Sequence, residues 1–168
     1  MSRLFLWYNL FMRQLRIYVD TSVIGGCCDE EFSEWSRALL RDFQKGTYKL
    51  VMSDLVIAEI QKAPAEVMEY FHLFENCSSE KAEFSLESYN LSAAYLDRKI
   101  LTPKFTADAT HIALAVCADV DALVSWNFKH IVHMDKIRLF NAVNLTQGYR
   151  SLQIFTPREV TRYGFQSS

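Results

Sequence analysis

Three carboxylates at the mouths of apolar segments are the residues best placed to do chemistry in this chain. Asp20 closes the run Arg16-Ile17-Tyr18-Val19-Asp20, Glu59 follows Ser53-Asp54-Leu55-Val56-Ile57-Ala58, and Asp108 opens Asp108-Ala109-Thr110-His111-Ile112-Ala113-Leu114-Ala115. Carboxylates at the carboxyl ends of buried strands, or in first helical turns, are where open α/β folds gather ligands and cations. Crowded together they repel, and one pKa rises unless a cation lies between them. Each also has a plainer reading. Asp20 could close a turn through its side chain, Asp108 could answer a helix dipole, and Glu59 could be a solvated mid-helix residue. The pocket reading requires all three to meet.

The elements that must position them follow from hydrophobic periodicity. Residues 16 to 20 read as a first buried strand, left by a tight exit through Thr21, Ser22, Gly25 and Gly26. Ser33 is expected to cap a helix over 34 to 45 that buries Trp35, Leu39, Leu40 and Phe43 and stops at Gly46. Lys49 to Ser53 reads as a strand, with Ser53 or Asp54 capping the helix that carries Glu59. Pro64 interrupts that helix, and an amphipathic segment with Val67, Met68, Tyr70, Phe71 and Phe74 follows. A helix is expected over 86 to 100, then Pro103, then the Asp108 helix, capped by Thr106 and running to Cys117. Ala122 to Trp126 reads as a buried strand, Leu139 to Leu145 and Leu152 to Phe155 as late strands, and Pro157 begins a last helical turn. Short buried strands alternating with helices predict an α/β fold with a mostly parallel sheet covered on both sides. Asp20 and the Trp126-Asn127 turn then share the carboxyl edge of the sheet. No glycine-rich phosphate loop is present: Gly25-Gly26 lacks both the G-x-G-x-x-G and the G-K-[ST] context.

Composition limits the alternatives. A chain of 168 residues, 50% apolar and 23% charged, with five Gly and three Pro, suits one globular domain and argues against linkers, repeats or disorder. The net charge of −2 conceals an asymmetry: residues 1 to 94 hold nine Lys/Arg and 14 Asp/Glu, whereas residues 95 to 168 hold nine and six. A basic half beside an acidic cluster could guide a phosphate backbone toward bound metal; two solvated faces explain the same numbers. Cys27, Cys28, Cys77 and Cys117 form no C-x-x-C pair and are expected as free thiols in a reducing cytoplasm. The opening Leu4 to Met12 is apolar but too short to span a bilayer and lacks a clear signal cleavage site. Met12 could itself start a chain, which would leave residues 1 to 11 as an extension; the first strand sets the domain at 16 to 168, with residues 1 to 15 assigned outside the fold.

The motifs, taken in order, resemble those of PIN-domain nucleases, which include the toxin ribonucleases of VapBC-type toxin–antitoxin pairs. Ile17-Tyr18-Val19-Asp20-Thr21-Ser22-Val23 resembles the family's opening, and Ser53 to Glu59 and Asp108 to Ala115 its second and third motifs. Leu123-Val124-Ser125-Trp126-Asn127-Phe128-Lys129-His130-Ile131 resembles the fourth, where many members have Thr-x-Asp. The resemblance implies a three-layer α/β/α sandwich and a Mg²⁺- or Mn²⁺-dependent endoribonuclease with Asp20, Glu59 and Asp108 as metal-binding acids. Asn127 falls where a fourth acid is often found, and Ser22 or Thr21 where a hydroxyl supports the site. An amide coordinates a hard cation through oxygen but brings no charge, so one ion rather than two, or a catalytically weak RNA-binding or protein-interaction module, becomes an alternative. RNA as substrate, an antitoxin as partner and homodimers are likewise implied, with no membrane association. Such chemistry suits the acids, because a divalent ion lowers the pKa of bound water and stabilises charge on phosphoryl oxygens.

Four further features carry two readings each. His111, one turn past Asp108, could touch the site or simply pack in the core. His130 and His133 could form a transition-metal pair but lack two more ligands. Lys129, His130, Lys136 and Arg138 are candidate phosphate contacts or a solvated loop. Trp126 and Phe128 are core residues or base-stacking platforms.

Overall fold

The computed structural model describes residues 13–77 and 80–161; the apolar opening segment lies outside them. Its central sheet is built from β1 (Arg16–Val19), β2 (Lys49–Ser53), β3 (Glu80–Ala82), β4 (Ala122–Val124) and β5 (Ile154–Phe155), in the order β3-β2-β1-β4-β5. Every pairing is parallel, with Ile17 opposite both Leu50 and Ala122. The central strands are apolar on both faces because both are covered. Ile17, Val19, Leu50, Met52 and Val124 point into one core, while Tyr18, Val51 and Leu123 point into the other.

The first core is closed by α1 (Thr21–Gly26), α2 (Ser33–Gln44), α3 (Asp54–Ile60) and α4 (Ala65–Glu75). Val23, Ile24, Leu39, Phe43, Val56, Ile60 and Phe74 fill it. The second is closed by α5 (Leu86–Asp97), α6 (Thr106–Cys117) and α7 (Met134–Thr146), with Tyr95, Ile112, Leu114 and Phe140 at its centre. A short α8 (Pro157–Val160) ends the described chain. The expected three-layer α/β/α arrangement is therefore present, with a sheet that is wholly parallel. No helix of the described residues is long and apolar enough to cross a membrane, and all four cysteines are free thiols.

Several local expectations are corrected. Leu139 to Leu145 is not a strand but part of α7. Phe140, Val143 and Asn144 are buried at helical spacing, while Leu139 and Leu145 stay 51% and 61% exposed, so the apparent alternation was a surface accident. Thr106 does not cap α6: it is the first helical residue, its hydroxyl donates to the Pro103 carbonyl at 2.6 Å, and a 3₁₀ turn over Pro103–Phe105 leads into the helix. Ser33 likewise lies inside α2, whose preceding residue is Phe32. The tight exit after Val19 is the helix α1, and β3 went unread. Gly46 does stop α2, with a left-handed φ of 71° that a side chain would strain.

Candidate active site

The strand order reverses direction between β1 and β4, the switch point where open α/β sheets form a crevice at their carboxyl edge. Asp20 is the first residue beyond β1 at that point. Its backbone N–H bonds the Val124 carbonyl at 3.4 Å, and its side chain is only 4% exposed. The carboxylate forms no regular cap bond to α1, although the Val23 amide still favours its charged form. It accepts instead from the Ser22 hydroxyl at 2.6 Å and the Ser125 hydroxyl at 2.7 Å. Burial pushes the Asp20 carboxyl above its ordinary value, against the opposing pull of His111, both hydroxyls and the Val23 amide.

Glu59 reaches the same edge from α3. It accepts from the Thr21 hydroxyl and from Nε2 of His111, the latter at 3.0 Å. Burial alone would raise it, but the hydrogen bond and charge of His111, with Thr21, outweigh that and hold Glu59 below its ordinary value. Asp108 sits in the first turn of α6, half-buried. Burial raises its pKa and the nearby Glu59 adds to the rise, while His130, an Asn127 hydrogen bond and His111 act against it.

All three expected acids thus gather at one edge, and the field of one imidazole, His111, acts on each. The ring is oriented by Tyr18. The phenol hydroxyl lies 2.7 Å from His111 Nδ1 and 2.7 Å from the Ser53 hydroxyl, with the two rings edge to face. Because Nε2 faces a carboxylate it donates, while Nδ1 shares the remaining hydrogen bond with the Tyr18 hydroxyl. Burial drives the Tyr18 phenol far up, so that proton stays in place. Sequence reasoning missed these roles of Tyr18, Ser53 and Ser125. Their only signal was a polar tip within, at or just beyond the end of a buried strand.

Asn127 meets the site through its side-chain amide. Its Oδ1 accepts from the His130 backbone N–H at 3.0 Å, and a backbone N–H can only donate, so the amide nitrogen is the end that hydrogen-bonds Asp108. Its own N–H donates to the Ser125 hydroxyl at 2.9 Å. Asn127 therefore aims the acid beside it and favours its charged form. Ser22 is equally connected, its hydroxyl also accepting from Trp126 N–H at 2.9 Å. The Trp126 indole lies so close to α1 that a Cβ at Gly26 would meet it at 2.8 Å, which makes Gly26 obligatory there.

Among the described residues, no three His, Cys, Asp or Glu side chains close around one point as a complete metal cage. The donor set nevertheless fits a hard cation of the Mg²⁺ kind, which takes oxygen ligands and is held by one or two carboxylates with several waters retained. Asp20 and Asp108 supply oxygen donors, and no Arg or Lys forms an ion pair with them or with Glu59 among the described residues. His130 and His133 do not form a pair: His130 is buried while His133 is exposed. Lys136 donates to the Ile100 carbonyl at 3.1 Å, a structural use, and Arg138 is exposed.

No family model matches the chain, and no curated protein matches it in sequence. Solved structures do resemble it. One is the crystal structure of VapBC2 from Rickettsia felis bound to a DNA fragment from their promoter, with a TM-score of 0.54 and 14% identity, covering 84% of this chain and 98% of that one. At that identity the likeness is one of architecture alone. With an all-parallel five-stranded sheet between helical layers, the chain has a PIN-like fold.

Proposed function

We propose that this chain is a Mg²⁺- or Mn²⁺-dependent endoribonuclease of the VapC toxin kind. The reading is supported most by Asp20, Glu59 and Asp108 all lying within the field of His111, with no Arg or Lys paired to any of them among the described residues. Two of these acids are held against the preference of their surroundings, a cost that a bound cation would offset. Asp20 and Asp108 would hold the ion, which when bound lowers the pKa of water and stabilises charge on phosphoryl oxygens. Ser22 and Ser125 fix the Asp20 carboxylate, and Asn127 fixes that of Asp108. Glu59, kept ionised by His111 and Thr21, is suited to orient a water by accepting its hydrogen bond rather than to take its proton. An antitoxin protein is the partner this reading expects, supported by a structural neighbour that is a VapBC complex; a homodimer accords with it.

A second reading, a catalytically weak RNA-binding or interaction module, is favoured by one feature. Asn127 and His111 already occupy acceptor sites on Asp108 and Glu59. Incubating a mixed RNA pool with the wild type and with Asp20→Asn, in Mg²⁺ or Mn²⁺, separates the two. The nuclease reading expects cleavage by the wild type only. Equal products from both proteins, or none from the wild type, would reject it.

A further inference from the structure

The segment from Ser125 to His130 joins the acidic edge to a second chemistry. Ser125 holds Asp20 and Asn127 holds Asp108, and between and beyond them the chain carries aromatic rings and a cation. Trp126 is buried, its indole N–H donating to Ser36 Oγ at 2.8 Å. Phe32 stacks on it with ring centroids 4.4 Å apart and planes 21° from parallel. Phe128 completes the group, 6.1 Å from Trp126 and 6.2 Å from Phe32, yet remains 49% exposed. A ring anchored on a fixed aromatic stack is thus left open to solvent one residue from the amide that holds Asp108.

Cations lie close by. Phe105, three residues before Asp108, packs on His130 with centroids 3.8 Å apart. The ammonium groups of Lys104 and Lys129 lie 5.8 Å and 6.0 Å from the Phe105 ring centre. Neither lysine has a carboxylate partner among the described residues. Two ammonium groups drawn to one ring, unneutralised and beside a half-buried acid, form a local positive rim that the net charge of the chain hides.

An open aromatic face combined with unpaired cations is the composition that holds single-stranded nucleic acid: the ring takes a base, the ammonium groups the backbone. We propose that Phe128 stacks an unpaired RNA base beside the acidic edge while Lys104 and Lys129 hold the neighbouring phosphates. The choice of RNA rests on the ribonuclease reading; the stacking shelf itself does not depend on cleavage. A base must be splayed out of a helix to stack on a side chain, so unpaired segments are the substrate and duplex RNA is excluded from the shelf. Stacking tolerates any base, so the shelf selects for single-strandedness and leaves sequence choice to other contacts.

The test is fluorescence anisotropy of the full chain with labelled oligouridine, in EDTA so that cleavage plays no part. Phe128→Ala is expected to weaken binding by roughly tenfold or more, and Phe128→Tyr to retain wild-type affinity, since base stacking is lost only in the first. Lys104→Gln and Lys129→Gln are each expected to flatten the slope of log affinity against log salt by about 0.7. A duplex RNA should bind more weakly and ignore Phe128→Ala. Unchanged oligouridine affinity in Phe128→Ala overturns the shelf; if self-association falls in the same variant, Phe128 belongs to a protein contact instead. The two readings fail separately. A chain that binds oligouridine through Phe128 but cuts no RNA with Mg²⁺ or Mn²⁺ loses the nuclease assignment and keeps the shelf, whereas cleavage indifferent to Phe128→Ala does the opposite.

Discussion

At the amino end of β1, Arg16 is surrounded by acceptors. Its guanidinium bonds both oxygens of Glu80 and the carbonyls of Ala118 and Asp119, its backbone N–H donates to Asp121 at 2.8 Å, and Lys49 approaches Glu80 at 3.2 Å. At the carboxyl end, four residues on, Asp20 is more deeply buried and meets only hydroxyls, an amide dipole and the distant charge of His111. The Arg16 hydrogen bond holds Glu80 below its ordinary pKa, whereas burial pushes Asp20 and Asp108 above theirs. One edge of the sheet uses charge to fasten strands β1, β2 and β3 together. The other holds carboxyl groups that no Arg or Lys pairs with among the described residues, the pattern of perturbed acids that marks candidate functional sites.

Substitutions at the two ends should therefore have opposite signatures. Asp20→Asn is expected to reduce RNA cleavage by about 10²–10³-fold, the usual cost of removing one preorganised electrostatic group, and yet to raise Tm, because a buried charge becomes neutral. Arg16→Met should leave cleavage near wild type and lower stability. With the Arg16 side chain 20% and Glu80 34% exposed, solvent screening limits that loss to roughly 1–2 kcal/mol, a few degrees in Tm for a chain of this size. Measuring cleavage and melting on both variants checks the contrast. A stabilised Arg16→Met or a destabilised Asp20→Asn would erase it.

Asn127→Asp sharpens the comparison by adding charge to the site edge. It replaces an amide that hydrogen-bonds Asp108 with a second acid, so Mn²⁺ affinity by calorimetry should rise roughly tenfold, while the metal-free protein loses stability. No change in Mn²⁺ affinity would show that Asn127 lies outside any cation's reach.

These edges were unequally readable in the sequence. Asp20, Glu59 and Asp108 were legible because each terminates or begins an apolar run, and burial patterns are local. The partners that decide their charge were not: Ser125 and Tyr18 meet Asp20 and His111 across 105 and 93 residues of sequence. The orientation of Asn127 depended on a backbone N–H three residues later, which no composition rule anticipates. In the fold, β1, β2 and β4 were legible from β-branched and apolar runs, whereas β3 is three residues reading Glu-Lys-Ala, chosen by its edge position rather than by propensity. Helix α7 was misread because exposed Leu139 and Leu145 mimicked alternation beside a core face of Phe140, Val143 and Asn144.

The smallest effect is on pH dependence. The raised pKa of Asp20 means the folded state binds more protons than the unfolded chain, so this residue makes stability fall as pH climbs past about 4. Glu59 acts the other way: its contribution is present above the ordinary glutamate value and is lost as pH falls through its lowered one. Urea unfolding between about pH 4 and pH 7 should show a shallower decline in Asp20→Asn than in the wild type, and identical slopes would remove Asp20 as a strained charge.

The central claim is that the carboxyl edge of this sheet holds a divalent cation. Anomalous diffraction from a crystal soaked in Mn²⁺ tests it most directly. The account predicts a peak within coordination distance of Asp20 and Asp108, lost in the Asp108→Ala protein; a wild-type crystal with no peak at that edge, or a peak that survives Asp108→Ala, would contradict it.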